Sequence, residues 1–487
     1  MNYRVTSKYL GLLLWVEAVL ILPSAAVALG HGETHGVLAL LATAAICALL
    51  GLLLFLLGRA RQEKQVLYAR ESLVVAGAGW ILVSLLGALP FFLSGEIPNY
   101  IDAFFEAASG FTTTGASILS NVEAMSRGLL FWRSFTHWMG GIGVLVFILA
   151  LVRNQNGGGF TLHLLRAESP GPQVGKLAPR MRQSVQLLLG VYLALSVVNL
   201  VFLLAGGMPL FDALCTMFGT AGTGGFGIKN SSMAGYSPYL QTVTTVFMAL
   251  FGVNFTLYYL LVRKQWRGAL KDEELRLYVG IMLGSIVLIM LSVLTSGQLP
   301  FGEALHHSAF TVSSVMTTTG FATIDFDLWP EFSRAILLIL MFAGSMAGST
   351  GGGIKTARLL ILWKSARAGV RRMLHPRSVK AVHINGRPLD DAVVKRTHQY
   401  LVIYCGLTLL GFAVVALDGH TLETNISAVA SCLNNIGPGL GLVGPSANYS
   451  IYSGLSKVVL TLYMLVGRLE IFPILILFAP STWRRKA

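Results

Sequence analysis

Ten stretches of this chain are each apolar over about 20 residues, the length at which a helix crosses the hydrocarbon core of a bilayer. They fall at 7–29, 37–58, 73–95, 128–152, 184–206, 240–262, 277–296, 335–354, 400–417 and 455–479. A backbone surrounded by lipid must satisfy its own N–H and C=O groups, so the pattern predicts a polytopic, helical membrane protein. Only 12% of the 487 residues are charged, half the share of an ordinary soluble domain (about 25%), which excludes a soluble enzyme with a basic face. Arg4 and Lys8 ahead of the first apolar run look like the start of a signal sequence. The run also holds Glu17 and Pro23 and lacks a small-residue cleavage site, so a retained first helix is expected.

The basic residues sort themselves onto one side. Thirty of the 36 Lys and Arg lie before the first span, in 59–72, 153–182, 263–276 and 355–396, or at Arg484, Arg485 and Lys486. With alternating spans all these segments share a side, and the positive-inside rule puts both termini in the cytoplasm. The formal net charge of +14 is thus mainly topogenic, and no nucleic-acid partner is expected.

Four of the outward connections contain a further apolar segment too short to cross: Ile101–Phe111, Pro209–Gly219, Ala304–Met316 and Thr421–Leu433. These read as re-entrant helices. Each runs into a polar, glycine-containing stretch: Thr112-Thr113-Thr114-Gly115, Gly222-Thr223-Gly224-Gly225, Thr317-Thr318-Thr319-Gly320 and Asn434-Asn435-Ile436-Gly437. Aligned on Gly115, Gly225, Gly320 and Gly437, they are 110, 95 and 117 residues apart, a recurring supersecondary unit. The predicted organisation is two extra N-terminal spans (1–72) followed by four repeats, 73–183, 184–276, 277–398 and 399–487. Each repeat enters and leaves on the same side, so the copies are parallel and close a ring about an axis along the membrane normal.

Non-helical backbone at membrane depth is tolerated only where protein buries it or where it lines a watery path. Four such runs meeting at an axis offer rings of carbonyl oxygens able to replace the water shell of a monovalent cation. Glycine permits the backbone angles, and threonine hydroxyls add oxygen ligands. The C-terminal, partly negative ends of the short helices favour a cation below. One run alone reads equally well as a glycine turn ending a buried helix; four copies in the same setting do not.

Other features carry less. Asp102 and Asp212, each thirteen residues before its glycine, read as the caps of their short helices rather than as a functional pair. Cys47, Cys215, Cys405 and Cys432 have no metal-ligand spacing, and the adjacent His306 and His307 lack acidic or thiolate company. The run Gly222–Gly227 fits G-x-G-x-x-G but follows no strand, and Gly348–Thr356 is not a phosphate loop because Ile354 separates glycine from Lys355. No nucleophile with an aligned base is present, and no catalytic residue is assigned.

The phrases Ala108-Ser109-Gly110-Phe111-Thr112-Thr113-Thr114-Gly115, Val315-Met316-Thr317-Thr318-Thr319-Gly320-Phe321 and Asn434-Asn435-Ile436-Gly437-Pro438-Gly439 resemble the filter segments of the Trk/Ktr/HKT superfamily of potassium transporters. The resemblance spans essentially the whole chain, and the two extra spans at 7–58 match its bacterial Trk branch. It implies potassium as the permeant ion, with Thr112–Gly115, Gly222–Gly225, Thr317–Gly320 and Asn434–Gly437 as the filter, and no covalently bound cofactor. The second and fourth runs depart from Thr-Thr-Thr-Gly, leaving their register open by about one residue. A sodium-preferring member of the fold is an alternative; the glycine, rather than serine, at Gly115 favours potassium.

The eighth span is interrupted by Ala343-Gly344-Ser345-Met346-Ala347-Gly348-Ser349-Thr350-Gly351-Gly352-Gly353, where each glycine costs a helix about 1 kcal/mol relative to alanine. A broken helix is expected; close packing through Gly344 and Gly348 is the alternative. Arg468, deep in the last span, should face protein or a watery cavity. A pair with Glu470 is one reading, weakened because residues two apart leave a helix on different faces. The resemblance implies another, in which Gly344, Gly348, Gly351, Gly352, Gly353 and Arg468 form a gate below the filter, with Lys355 at its cytoplasmic end. It also implies a homodimer in the inner membrane with a pore in each chain, and a cytoplasmic ring of TrkA-type subunits that binds nucleotide and docks on 153–183, 263–276 and 355–396. Membrane lipid is the other expected partner. The function expected is gated potassium uptake, the alternative being an ion-coupled carrier with alternating access.

Overall fold

A computed structural model describes residues 1–59, 69–143, 181–375 and 381–483. The last nine residues of the fourth apolar stretch, most of the basic segments 59–72 and 153–182, and Arg484, Arg485 and Lys486 lie outside the described residues.

The described chain is mostly helical. Helices α1 (Tyr3–Gly30) and α2 (Thr34–Leu57) form an antiparallel hairpin around Gly32, whose φ is +72°. They close on each other at Gly11 and Gly51: a Cβ on Gly51 would stand 2.9 Å from the Gly11 carbonyl and 2.7 Å from the Trp15 ring. Small residues let two backbones approach in this way where lipid gives no hydrophobic drive for helix association. The Glu33 carboxylate at the hairpin turn accepts the N–H groups of Arg127 (2.7 Å) and Gly128 (2.9 Å). It thereby caps α6 (Arg127–Ile142) and ties the extra pair to the first repeat.

Between these lie α3 (Ala69–Gly87), α4 (Leu89–Leu93) and α5 (Tyr100–Phe111). Onward run α7 (Met181–Ala205), α8 (Leu210–Gly222), α9 (Pro238–Phe251), α10 (Phe255–Val262), α11 (Trp266–Leu270), α12 (Glu273–Thr295) and α13 (Phe301–Met316). The last are α14 (Glu331–Phe342), α15 (Thr356–Leu374), α16 (Asp391–Val415), α17 (Leu422–Asn434), α18 (Gly454–Arg468), α19 (Phe472–Phe478) and α20 (Pro480–Trp483). Among the described residues six helices are long and apolar enough to cross a membrane, or seven if α9 and α10 count as one broken span. Only 22% of the apolar window of α7 and of α16 is buried. Such outward-facing apolar helices are stable in lipid rather than in water.

Helices form at the four short apolar segments, as α5, α8, α13 and α17, and their inner turns are buried. Continuity of the later spans is where the chain departs from expectation. The stretch 240–262 bends by 93° between α9 and α10, and 455–479 breaks at Glu470 and Ile471, whose φ angles are +55° and +72°. The eighth stretch, by contrast, breaks where a broken helix is expected, giving way to loop between α14 and α15. An all-α reading also needs one amendment, a hairpin of β1 (His383–Ile384) and β2 (Arg387–Pro388). Its two-residue turn, Asn385-Gly386, has positive φ at both positions (50° and 73°), the type I′ geometry that asparagine-glycine favours.

The α1–α2 contact makes a direct stability prediction. Gly51→Val overpacks it and should cost about 1–3 kcal/mol, read as a lower Tm in detergent, whereas Gly190→Ala, inside α7 with no atom within 4 Å of its added carbon, should hold Tm or raise it slightly.

Candidate functional site

The four glycine runs adopt one conformation despite their different sequences. Two residues before each aligned glycine the backbone is left-handed: Thr113 (φ 55°), Thr223 (55°), Thr318 (58°) and Asn435 (56°). The glycines follow with φ of 81° at Gly115, 72° at Gly225, 85° at Gly320 and 102° at Gly437. The residue between them donates its N–H back five positions in every copy, from Thr114, Gly224 and Thr319 at 2.8 Å and from Ile436 at 3.0 Å. The register of the second and fourth runs is thereby the same as that of the first and third.

The runs also pack in cyclic order. A Cβ built on Gly115 would collide with the carbonyl oxygen of Gly224, and one on Gly225 with that of Thr319. One on Gly320 likewise meets Ile436 O, and one on Gly437 closes the circle, 2.7 Å from Thr114 O. Each colliding carbonyl belongs to the residue just before the next run's glycine. At these four positions the φ angle and the contact strain any side chain, and one introduced there must displace the neighbouring carbonyl.

Side chains from neighbouring helices lock the runs. His137 of α6 lies 2.8 Å through Nδ1 from the Gly110 carbonyl and accepts the Phe226 N–H at Nε2 (3.2 Å), joining the first two repeats. Asn435 donates to Thr114 Oγ1 (2.9 Å) and to the Met464 carbonyl (2.8 Å), joining the fourth to the first. Ser431 and Tyr449 both donate to the Gly437 carbonyl (2.7 and 2.8 Å). In the first and third runs the Thr112 and Thr114 hydroxyls, and those of Thr317 and Thr319, form pairs 2.7 Å apart.

Beneath them lies the loop between α14 and α15. Its neck is held by Gly344 N–H to Ile354 O (3.0 Å) and Thr356 N–H to Ser345 O (3.1 Å). The break between α9 and α10 grips its middle, with Met346 N–H donating to Gly252 O and Phe255 N–H to Gly348 O, each at 3.0 Å. Had that stretch stayed helical, these groups would be committed within the helix. Gly348 and Gly353 take positive φ (76° and 71°); Gly344 packs against Gly352 and Gly353, closing the neck rather than a helix pair. Gly352 donates its N–H to Thr318 Oγ1 at 2.6 Å, and carbons on Gly351 and Gly352 would strike the carbonyls of Thr317 and Asn434. The loop therefore abuts the third and fourth runs. The buried Lys355 folds back onto the Gly351 carbonyl.

Arg468 meets the first run. Its guanidinium donates to Thr113 Oγ1 (3.1 Å), Thr350 O (2.8 Å), Gly140 O (2.5 Å) and Gly141 O (3.1 Å). Glu470 instead pairs with Arg358 of α15. A full positive charge thus sits among carbonyls between the first run and the loop.

Several contributors were not singled out from the sequence. Buried Arg133 donates to Glu106 at 2.6 Å and to the Gly227 carbonyl at 2.9 Å, while lying 3.4 Å over the Phe226 ring. Glu106 also accepts from Ser117 (2.9 Å) and the Ile118 N–H (3.0 Å). An arginine and a histidine one turn apart in an apolar span, facing an acid in a short apolar helix, were the available signal. Asp102 lies in the first turn of α5, but Asn99 supplies the cap; Asp102 pairs with Lys457 at 2.7 Å. Asp212 accepts from the Tyr236 hydroxyl at 2.9 Å. Glu106→Ala leaves Arg133 buried and unpaired and should destabilise by about 3–5 kcal/mol, whereas Glu106→Ala with Arg133→Met should regain most of it; unfolding in detergent measures both.

The sequence matches the model of the TrkH family, described as cation transport protein, over residues 39–485. It is 32% identical over 492 residues to the Trk system potassium uptake protein TrkG of Escherichia coli (strain K12), covering 99% of each chain. It is 34% identical over 438 residues to the Trk system potassium uptake protein TrkH of Salmonella typhimurium, covering 87% of this chain and 88% of that one. The crystal structure of the potassium transporter TrkH from Vibrio parahaemolyticus superposes with a TM-score of 0.87 at 31% identity, over 99% of this chain and 100% of that chain. With its apolar helices this makes the protein a multi-pass membrane protein, and the chain belongs to the TrkH family of cation transport proteins.

Proposed function

We propose that this protein conducts potassium into the bacterial cytoplasm through a pore enclosed by its four repeats, with both termini on the cytoplasmic side. The observation that carries the reading is the cyclic packing of four identically folded glycine runs, in which the carbonyls of Thr114, Gly224, Thr319 and Ile436 each lie against the next run's glycine. Carbonyl oxygens so gathered replace the hydration shell of potassium. The family relatives named for potassium uptake support the choice of ion. The permeant ion is the only cofactor of the reading.

The glycine loop and Arg468 act as the obstruction. Loop backbone touches the third and fourth runs, and the Arg468 charge lies on the hydroxyl of Thr113 in the first. A cation reaching that level meets a fixed positive charge in a low-dielectric setting, where repulsion is strong. With the obstruction withdrawn, an inside-negative potential supplies about 2.3 kcal/mol per 100 mV for each potassium ion entering. Withdrawal is driven from outside the chain, by a cytoplasmic TrkA-type ring that carries the nucleotide site and docks on the basic cytoplasmic segments of a homodimer.

Two substitutions test filter and obstruction together in proteoliposomes at fixed voltage. Gly115→Ser should abolish the preference for potassium over sodium, and Arg468→Ala should raise potassium flux by about tenfold, the effect of removing about 1.4 kcal/mol of barrier. Flux that ignores both, or that requires a proton or sodium gradient, contradicts the reading in favour of an ion-coupled carrier.

A further inference from the structure

Three successive acids open α12, and each addresses a different part of the molecule. Asp272 caps the helix by accepting the Leu275 N–H (2.9 Å), and its other oxygen accepts from the Asn385 amide at 2.7 Å. The Glu273 N–H returns a bond to Asn385 Oδ1 (2.9 Å), and its carboxylate pairs with Lys364 of α15, which also donates to the His383 carbonyl (2.8 Å). Glu274 is buried, and one of its oxygens accepts two backbone N–H groups, from Ala347 at 2.7 Å and from Ala357 at 3.1 Å. Those two residues flank the loop, one inside it and one in the first turn of α15.

The arrangement has two consequences. A single carboxyl oxygen accepts from residues on both sides of the loop, and a buried N–H left without an acceptor is costly. Adjacent in sequence, the other two acids are fixed to the tip of the β1–β2 hairpin, which is seated on α15 by Ile384 against Leu360 and Ile361. The loop, the start of α12 and the hairpin are thereby connected by short polar bonds within three residues of chain.

We propose that Glu274 is the positioning residue that holds the glycine loop across the pathway, and that Asn385, through Asp272 and Glu273, sets it from the hairpin. A force or binding event at the hairpin reaches the loop by this route without passing through the filter. The proposal rests on the loop acting as an obstruction.

The test uses the full-length protein in proteoliposomes at fixed voltage, with Arg468→Ala as the reference for a weakened obstruction. Glu274→Ala removes the acceptor of both N–H groups and should raise potassium flux by about tenfold. Glu274→Gln keeps an uncharged acceptor and should fall between it and the parent. Asn385→Ala, on the exposed hairpin and expected to fold normally, should raise flux in the same direction by a smaller factor. In all three the potassium-over-sodium preference should persist, a readout that general loss of structure would not spare. Parent-level flux in Glu274→Ala and Asn385→Ala beside raised flux in Arg468→Ala overturns the proposal while leaving the obstruction intact; so does a rise accompanied by lost preference. Should Glu274→Ala fail to fold, Asn385→Ala decides alone. No rise in Arg468→Ala removes the obstruction itself, and this proposal with it.

Discussion

Four carbonyl oxygens, those of Thr114, Gly224, Thr319 and Ile436, are each pressed against a glycine of the neighbouring run, and the rest of the structure is arranged to keep them there. On the proposed reading these dipoles face one axis and repel one another. The protein therefore needs a frame stiff enough to hold the runs apart at contact distance. The short helices supply it, because each run is a direct continuation of a buried helix whose last turns take the run's N–H groups. Glycine is required twice over, for its backbone angle and for the absent side chain.

The frame is braced unequally. Repeats one and two are joined by charged and polar groups: Glu106, Arg133 and His137 all lie within the contact. Repeats four and one meet through Asn435 and Thr114, and through the pair of Lys457 with Asp102. The third and fourth runs instead have loop backbone beneath them, with Gly352 donating to Thr318. Side chains thus hold one part of the ring while loop backbone fills in under another. Arg468 links the two regimes, touching the first run, α6 and the loop at once.

Much of the fold was legible from composition and period: apolar lengths marked the helices, and the recurrence of glycine after short apolar segments marked the four runs. Breaks in the later spans were less so. Residues 240–262 read as one span because apolarity reports the solvent, while the 93° bend at Gly252–Asn254 answers a demand from Met346 and Gly348, about 100 residues away in the chain. The same holds for Glu470, whose partner Arg358 is on another helix. The register of the second and fourth runs stayed open by about one residue at the sequence level because side chains differ, Gly222 and Asn434 standing where the others have threonine. What repeats is a backbone conformation. The Asp102 cap was misjudged for a local reason, since Asn99, three residues earlier, already fills that role.

The most direct measurement is the position of a heavy potassium mimic, thallium or rubidium, located by anomalous scattering in crystals of the full-length protein. The expected result is a peak on the axis encircled by Gly115, Gly225, Gly320 and Gly437, at the level of the four carbonyls, that disappears in Gly115→Ser. Heavy-cation density confined to other parts of the molecule, with none inside the ring, would contradict coordination by the glycine runs.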